Sequence, residues 1–235
     1  MLSVVILTKN SEKYLEEVLR SVTFADEVII YDNDSIDNTL EIAKKFKNTK
    51  IFIDKTWEGF GRQKQKAVNK AKNRWVFVLD SDEVITEKLK EEILQTIKTP
   101  KYEAYFVARL NNFFGKWMRH TGLFPDYSIR LFDKTKANFN ERKVHESVET
   151  KNVGYLKNYF LHYAYESIEE FIEKQNKYSS TGAKPNKLKA IFSPYWTFFK
   201  LYFLKLGFLD GWNGFIVSKL YAEYTFWKYI KREKK

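Results

Sequence analysis

Cysteine is absent from the 235 residues, which excludes a disulfide scaffold, a thiolate metal site and a cysteine nucleophile together. Histidine is scarce: three residues leave little room for a multi-imidazole zinc site. Any metal is therefore expected on carboxylates, which points to Mg²⁺ or Mn²⁺. No run of about 18 uncharged apolar residues exists, so no membrane span is expected. The opening MLSVVILTKN is apolar only briefly, has no basic leader and runs at once into a charged helix. It reads as a buried strand and not as a signal peptide, and the cytoplasm is the expected compartment. Internal repeats and low-complexity stretches are missing as well.

What is present suits one α/β domain with an appendage. Apolar residues make up 44% of the chain, enough for a real core and too many for wholesale disorder. The net charge of +11 is unevenly placed: Lys184–Lys235 holds 11 basic residues against 3 acidic, and 15 of the 41 aromatics. Basic and aromatic together fit an anionic lipid surface; an aromatic-packed appendage with a solvated lysine face is the plainer reading, and nucleic acid a third.

Leu2–Leu7, Glu27–Tyr31, Ile51–Ile53 and Trp75–Leu79 read as short buried strands. Helical spacing separates them: Leu15, Val18, Leu19 and Val22 after a cap at Asn10 or Ser11, Leu40, Ala43 and Phe46 on the next, then a helix around Gln63–Lys72. Thr86 can cap a fourth helix through Leu89, Ile93, Leu94 and Ile97. This β-α alternation implies a parallel sheet with right-handed crossovers. Ligands bind such sheets beyond the carboxyl ends of the strands, where Thr8, Asp32 and Asp80 fall. Beyond residue 100 the pattern changes. Glu103–Leu110 and Ser128–Phe132 look like strands, and Ser167-Ile-Glu-Glu170 is a capping box opening a helix towards Ser180. Gly182–Lys189 reads as a polar linker, and Ser193-Pro194 as a helix start with proline first. A break at Gly207–Gly214 and a last aromatic helix to about Ile230 complete the chain.

The sharpest chemical signal is Val78-Leu79-Asp80-Ser81-Asp82-Glu83. Two carboxylates at i and i+2, just past a buried strand, can converge on one divalent cation, which can bridge two phosphates and neutralise a leaving diphosphate. Acidic turns after strands are common, so placement at the fourth strand's end is what lends the motif weight. The second signal is Asp32-Asn33-Asp34-Ser35-Ile36-Asp37-Asn38-Thr39. An acid ending the second strand can accept from a base or ribose, and Asp37 can cap the helix that follows.

As a set these motifs resemble glycosyltransferase family 2: Thr8-Lys9-Asn10 after strand one, Asp32, Ser35, Asp37 and Thr39 in the turn, a basic residue within Gly59-Phe60-Gly61-Arg62-Gln63-Lys64-Gln65, then the D-x-D. A narrower resemblance, to the lipopolysaccharide inner-core β-1,4-glucosyltransferase branch, rests on Gly59 to Lys64, Leu79 to Glu83, Pro125-Asp126 with Arg130-Leu-Phe132, Val144-His145-Glu146, His162-Tyr163 and Gly207-Phe-Leu-Asp-Gly211. The resemblance implies an α/β, GT-A fold, a Rossmann-like nucleotide-diphospho-sugar transferase sheet with a C-terminal helical appendage. It divides the chain into a catalytic domain at 1–183 (a nucleotide-sugar half at 1–100 and an acceptor half at 101–183) and a basic aromatic tail at 184–235. The implied activity is inverting transfer of a hexose, glucose, from a UDP-sugar to a lipopolysaccharide or lipooligosaccharide core acceptor. Thr8, Asn10, Asp32, Asp34, Lys64 and Asp80 would line the nucleotide sugar, and Asp80 and Asp82 would hold Mn²⁺ or Mg²⁺. Lys64 would pair with a phosphate, although a solvated helix lysine is its plain alternative.

Inversion needs one acceptor-side carboxylate to take the hydroxyl proton. The family's Glu-Asp pair before an arginine is replaced here by Pro125-Asp126, with Arg130 four residues on; Asp126 is favoured as base and Glu146 is the rival. His145 and His162 can each make a structural hydrogen bond, and His145 can instead complete a metal shell. The implied setting is cytoplasmic, peripheral on the inner face of the cell membrane, with a lipid-linked glycan acceptor and no nucleic acid. Three alternatives remain. A nicotinamide oxidoreductase lacks its Gly-x-Gly-x-x-Gly after strand one. A non-enzymatic nucleic-acid or membrane-binding protein would leave the D-x-D idle, and acids at strand ends repel phosphates. Transfer to a polyprenyl phosphate would use the same fold.

Overall fold

The computed structural model describes residues 1–139 and 148–231. In chain order the first elements are β1 (Leu2–Thr8), α1 (Glu12–Ser21), β2 (Glu27–Asp32), α2 (Thr39–Lys44), β3 (Thr49–Ile53), α3 (Phe60–Lys70) and β4 (Trp75–Asp80). Next come β5 (Glu83–Ile85), α4 (Glu87–Lys98), β6 (Ala104–Phe113), β7 (Lys116–Trp117), β8 (Asp126–Asp133), β9 (Asn138–Phe139), β10 (Val148–Glu149) and β11 (Val153–Tyr165). The helices α5 (Ile168–Thr181), α6 (Lys187–Phe199) and α7 (Gly211–Ile230) follow, with a π-helical turn at Lys200–Leu204 and a 3₁₀ turn at Gly207–Asp210 between the last two. The chain forms two compact units, one of residues 1–109 with 127–162, the other of 110–126 with 163–235.

In the first unit β2, β1 and β4 are buried almost throughout, as strands covered on both faces must be. β1 pairs in parallel with β2 and β4, and β2 with β3. Val5, Ile29, Val76, Val78 and Phe132 pack with Ala67 and Val68 of α3 into the core, each large side chain contributing about 1.5–3 kcal/mol by burial. The sheet runs β3-β2-β1-β4-β8-β6-β11-β5. Only Ser81 and Asp82 separate β4 from β5 in sequence, yet three strands lie between them in the sheet. The strand order therefore brings the sheet's far edge, β5, back in sequence beside β4. Thr86 caps α4 by accepting from the Leu89 amide.

The second unit has its own core of Phe113, Met118, Tyr165, Phe171 and Val217. Buried Asp210 anchors the segment after β7: it accepts the backbone N–H of Arg119 and His120 and lies 3.0 Å from His120 Nδ1. Two expectations change here. α6 begins at Lys187 and not at Ser193, because Asn186 caps it by accepting from the Lys189 amide. Pro194 therefore sits inside the helix, where it removes a backbone donor, and the last three residues of the expected linker, Lys187–Lys189, are helical. Gly214 belongs to α7 rather than to the break. A Cβ there would lie 1.9 Å from the Gly207 carbonyl oxygen, so only glycine lets α7 approach the 3₁₀ turn. Gly214→Ala is expected to cost about 1–3 kcal/mol, the range for forced overpacking, read as a lower urea midpoint at unchanged slope; an unshifted midpoint would contradict this contact.

Candidate active site

The parallel register places Thr8 opposite Asp32 and Leu7 opposite Asp80. The polar residues that end β1, β2 and β4 therefore share one sheet edge.

At that edge one Asp80 carboxylate oxygen lies 3.3 Å from Lys64 Nζ and the other 3.5 Å from Arg130 Nη2. Lys64 is no solvated helix lysine: it is 8% exposed. The Asp80 backbone N–H donates to Glu83 Oε2 at 2.8 Å, and Arg130 donates to Glu83 Oε1 at 2.7 Å. Arg109 comes within 3.8 Å of the same carboxylate. Arg130 is fixed further by donating to Ser128 Oγ at 3.0 Å and by lying 5.0 Å over the Phe160 ring. Burial works against charge on Asp80, but Lys64 and then Arg130 outweigh it and hold its carboxyl well below the usual carboxylate range. At Glu83 burial wins and the pKa is raised, with Arg130 pulling it down and Asp80 pushing it up. The two acids three residues apart thus divide their roles: Asp80 stays ionised at the open edge, and Glu83 clamps the arginine beneath it.

Asp82 lies in the turn after Asp80. Its side chain is 40% exposed and its Oδ2 is 3.6 Å from His162 Nε2. Among the described residues no three carboxylate or imidazole groups form a ready-made cage. Two ionisable oxygen donors at a cationic, open edge fit a hard divalent ion that takes its remaining ligands from phosphate and water.

Along the rest of the edge, Asp32 is fully buried. Its oxygens accept Thr8 Oγ1 at 2.6 Å, Ser35 Oγ at 2.6 Å and the Ser35 amide at 2.8 Å. Asp32 thus organises the edge through the Ser35 turn. Asn10, at φ 48°, clasps that turn from the other side: its N–H donates to Ser35 Oγ and its side-chain oxygen accepts the Ile36 amide. Asp34, also at positive φ, lies 3.3 Å from Lys55 Nζ, and its carbonyl accepts from Lys9. Asp37 accepts the amides of both Glu12 and Thr39, the first residues of α1 and α2, which is a capping role in two directions.

A cleft of about 790 Å³ opens beside Lys64 and Asp80, reaching Arg109, Arg130, Phe106 and Tyr127. The Phe106 and Tyr155 rings stack at 4.9 Å, and Tyr127 meets Tyr155 edge-on at 5.1 Å, although both tyrosines are exposed. Asp126 is the first residue of β8, belongs to the second unit, and immediately precedes Tyr127. Glu146 and His145 lie outside the described residues. Sequence reasoning missed the clamp of Glu83 on Arg130 and Arg109 and the aromatic trio. Glu83 carried a usable signal, because an acid opening the apolar run Glu83-Val84-Ile85 needs a buried cation. The trio had none, since its members come from three separate strands.

The sequence model of Glycosyl transferase family 2 matches residues 3–162. An uncharacterized glycosyltransferase of Rickettsia typhi is 31% identical, covering 98% of this chain and 86% of its own. The lipopolysaccharide core biosynthesis glycosyltransferase LpsC of Rhizobium meliloti is 28% identical over 96% of this chain and 89% of its own. Among solved structures, Staphylococcus aureus TarS 1–349 in complex with UDP-GlcNAc superposes with a TM-score of 0.51 at 19% identity, covering 92% of this chain and 79% of that one. The likeness to TarS establishes the GT-A-like α/β sheet with C-terminal helices.

Proposed function

Because this chain belongs to glycosyl transferase family 2, we propose that it moves a hexose, glucose, from a UDP-sugar to a lipopolysaccharide or lipooligosaccharide core acceptor, with inversion. The observation that carries the site is the ionised Asp80 at the carboxyl end of β4, set between Lys64 and Arg130. The Rhizobium relative's role in lipopolysaccharide core synthesis supports the acceptor class. Catalysis belongs to residues 1–183. Thr8, Asn10, Asp32 and Asp34 shape the nucleotide edge, and Lys64 and Arg130 hold fixed positive charge beside the diphosphate. Asp80 and Asp82 would hold a Mn²⁺ or Mg²⁺ ion, which when bound neutralises charge on the leaving diphosphate. Asp126 takes the proton of the acceptor hydroxyl as its oxygen bonds to the anomeric carbon and the bond to the diphosphate breaks; Glu146 is the alternative base. The basic residues of 184–235 hold the protein against the anionic inner face of the cell membrane by charge, where a lipid-linked acceptor is presented.

A screen of nucleotide sugars for donor hydrolysis, run with Mn²⁺ and with EDTA, tests this reading. UDP-glucose alone should be consumed, and only with the metal; turnover of no nucleotide sugar would overturn it. The exposed stack of Tyr127, Tyr155 and Phe106 offers an aromatic face to a sugar ring. Tyr155→Ala is expected to raise the acceptor KM about five- to tenfold, the scale of one aromatic contact, while leaving donor hydrolysis unchanged. An unaltered KM would remove the stack from the acceptor path.

A further inference from the structure

α6 turns its apolar side to solvent. Leu188, Ile191, Phe192, Tyr195, Trp196 and Phe199 recur at spacings of three and four, one face of a helix, and are 44–77% exposed. Ala190 alone in this helix is buried. The exposed surface continues through the corner with Phe203, Leu204, Leu209 and Trp212, at 49–70%. Scattered apolar residues on a surface are ordinary, but a contiguous stripe with its corner marks an interaction surface.

The charge around the stripe identifies the partner. Residues 184–209 contain five lysines and no aspartate or glutamate, and all five lysines are exposed. A second copy of the chain would bring the same lysines face to face, whereas anionic headgroups satisfy them while the hydrocarbon below receives the stripe. Tryptophan and tyrosine are the side chains suited to that boundary. Among the described residues no helix is long and apolar enough to cross a membrane. Ile191 and Tyr195 also border a groove of about 650 Å³ lined by Phe198, Phe215 and Phe226 and by the Lys219–Glu223 ion pair.

We infer that α6 and the corner after it lie in the plane of an anionic bilayer with the apolar stripe inserted among the acyl chains. This deepens the membrane contact proposed above and rests on it, but the force differs: insertion is apolar burial, not surface charge. Charge between exposed groups is screened within about 8 Å at physiological salt, so the two separate by salt.

The full chain is sedimented with phosphatidylcholine–phosphatidylglycerol vesicles at low and high salt, and its tryptophan emission is followed with brominated lipid. Binding should persist at high salt, and brominated lipid should quench. Trp196→Phe with Trp212→Phe should keep binding and lose most of the quenching. Phe192→Ser with Trp196→Ser should weaken binding at least about tenfold, the effect of losing two inserted side chains, with unchanged circular dichroism as the folding control. Binding that disappears at high salt without quenching leaves the charge-driven contact and overturns insertion. No binding at low salt removes both. A doubled mass in lipid-free sedimentation equilibrium, abolished by the serine pair, assigns the stripe to a second copy and also overturns it.

Discussion

Asp82→Asn should abolish sugar transfer, lowering kcat/KM by roughly 10³-fold or more, about 4 kcal/mol of transition-state stabilisation, while the protein stays folded. The Asp82 side chain is 40% exposed, with its Oδ2 3.6 Å from His162 Nε2, so the amide removes a ligand charge at an open position. Asp80→Asn should be at least as severe. It also takes away the counter-charge between Lys64 and Arg130, and a buried cation left short of its partner destabilises. Arg130 keeps Glu83 at 2.7 Å, which limits that loss. Circular dichroism beside initial rates separates the two effects. Near wild-type transfer by either variant would place the metal elsewhere. Lys64 and Arg130 hold the Asp80 carboxyl low against its burial, which favours its ionised form.

Asp126→Asn should cut turnover by about 10²–10⁴-fold, the usual worth of a positioned base, with donor affinity little changed. A base acts as the acceptor oxygen attacks, so its loss falls on kcat rather than on donor binding. Glu146→Gln should do less. The reverse ranking would move the base to Glu146.

The nucleotide half of the fold was legible because its strands are short, β-branched and separated by amphipathic helices. Leu2–Leu7, Glu27–Tyr31 and Trp75–Leu79 come within a residue of the observed strands. Period and turn chemistry are local, and there they agree with the tertiary result. The acceptor half was less legible. β11 runs 13 residues from Val153, but its burial alternates irregularly among tyrosines, one asparagine and one lysine, so no clean period marks it. That β5 lies at the sheet's far edge is a matter of strand order, which no local pattern encodes. Pro194 was misread for a related reason: a proline near an apolar run looks like a first turn, and the weaker signal of Asn186 three residues before Lys189 sets the true start. In the site, Thr8, Asp32 and Asp80 could be placed at one edge from topology alone. What sequence could not give was direction. Asp32 turns inward to Thr8 and Ser35, and Lys64 turns inward to Asp80.

Titration calorimetry of UDP into the purified chain tests the nucleotide–metal edge most directly. With Mn²⁺ present the wild-type chain should bind UDP, and EDTA or Asp80→Asn should each weaken that binding by at least about tenfold, or 1.4 kcal/mol. Equal affinity with Mn²⁺ and with EDTA, undiminished in Asp80→Asn, would contradict the assignment of Asp80 to a metal-bound diphosphate.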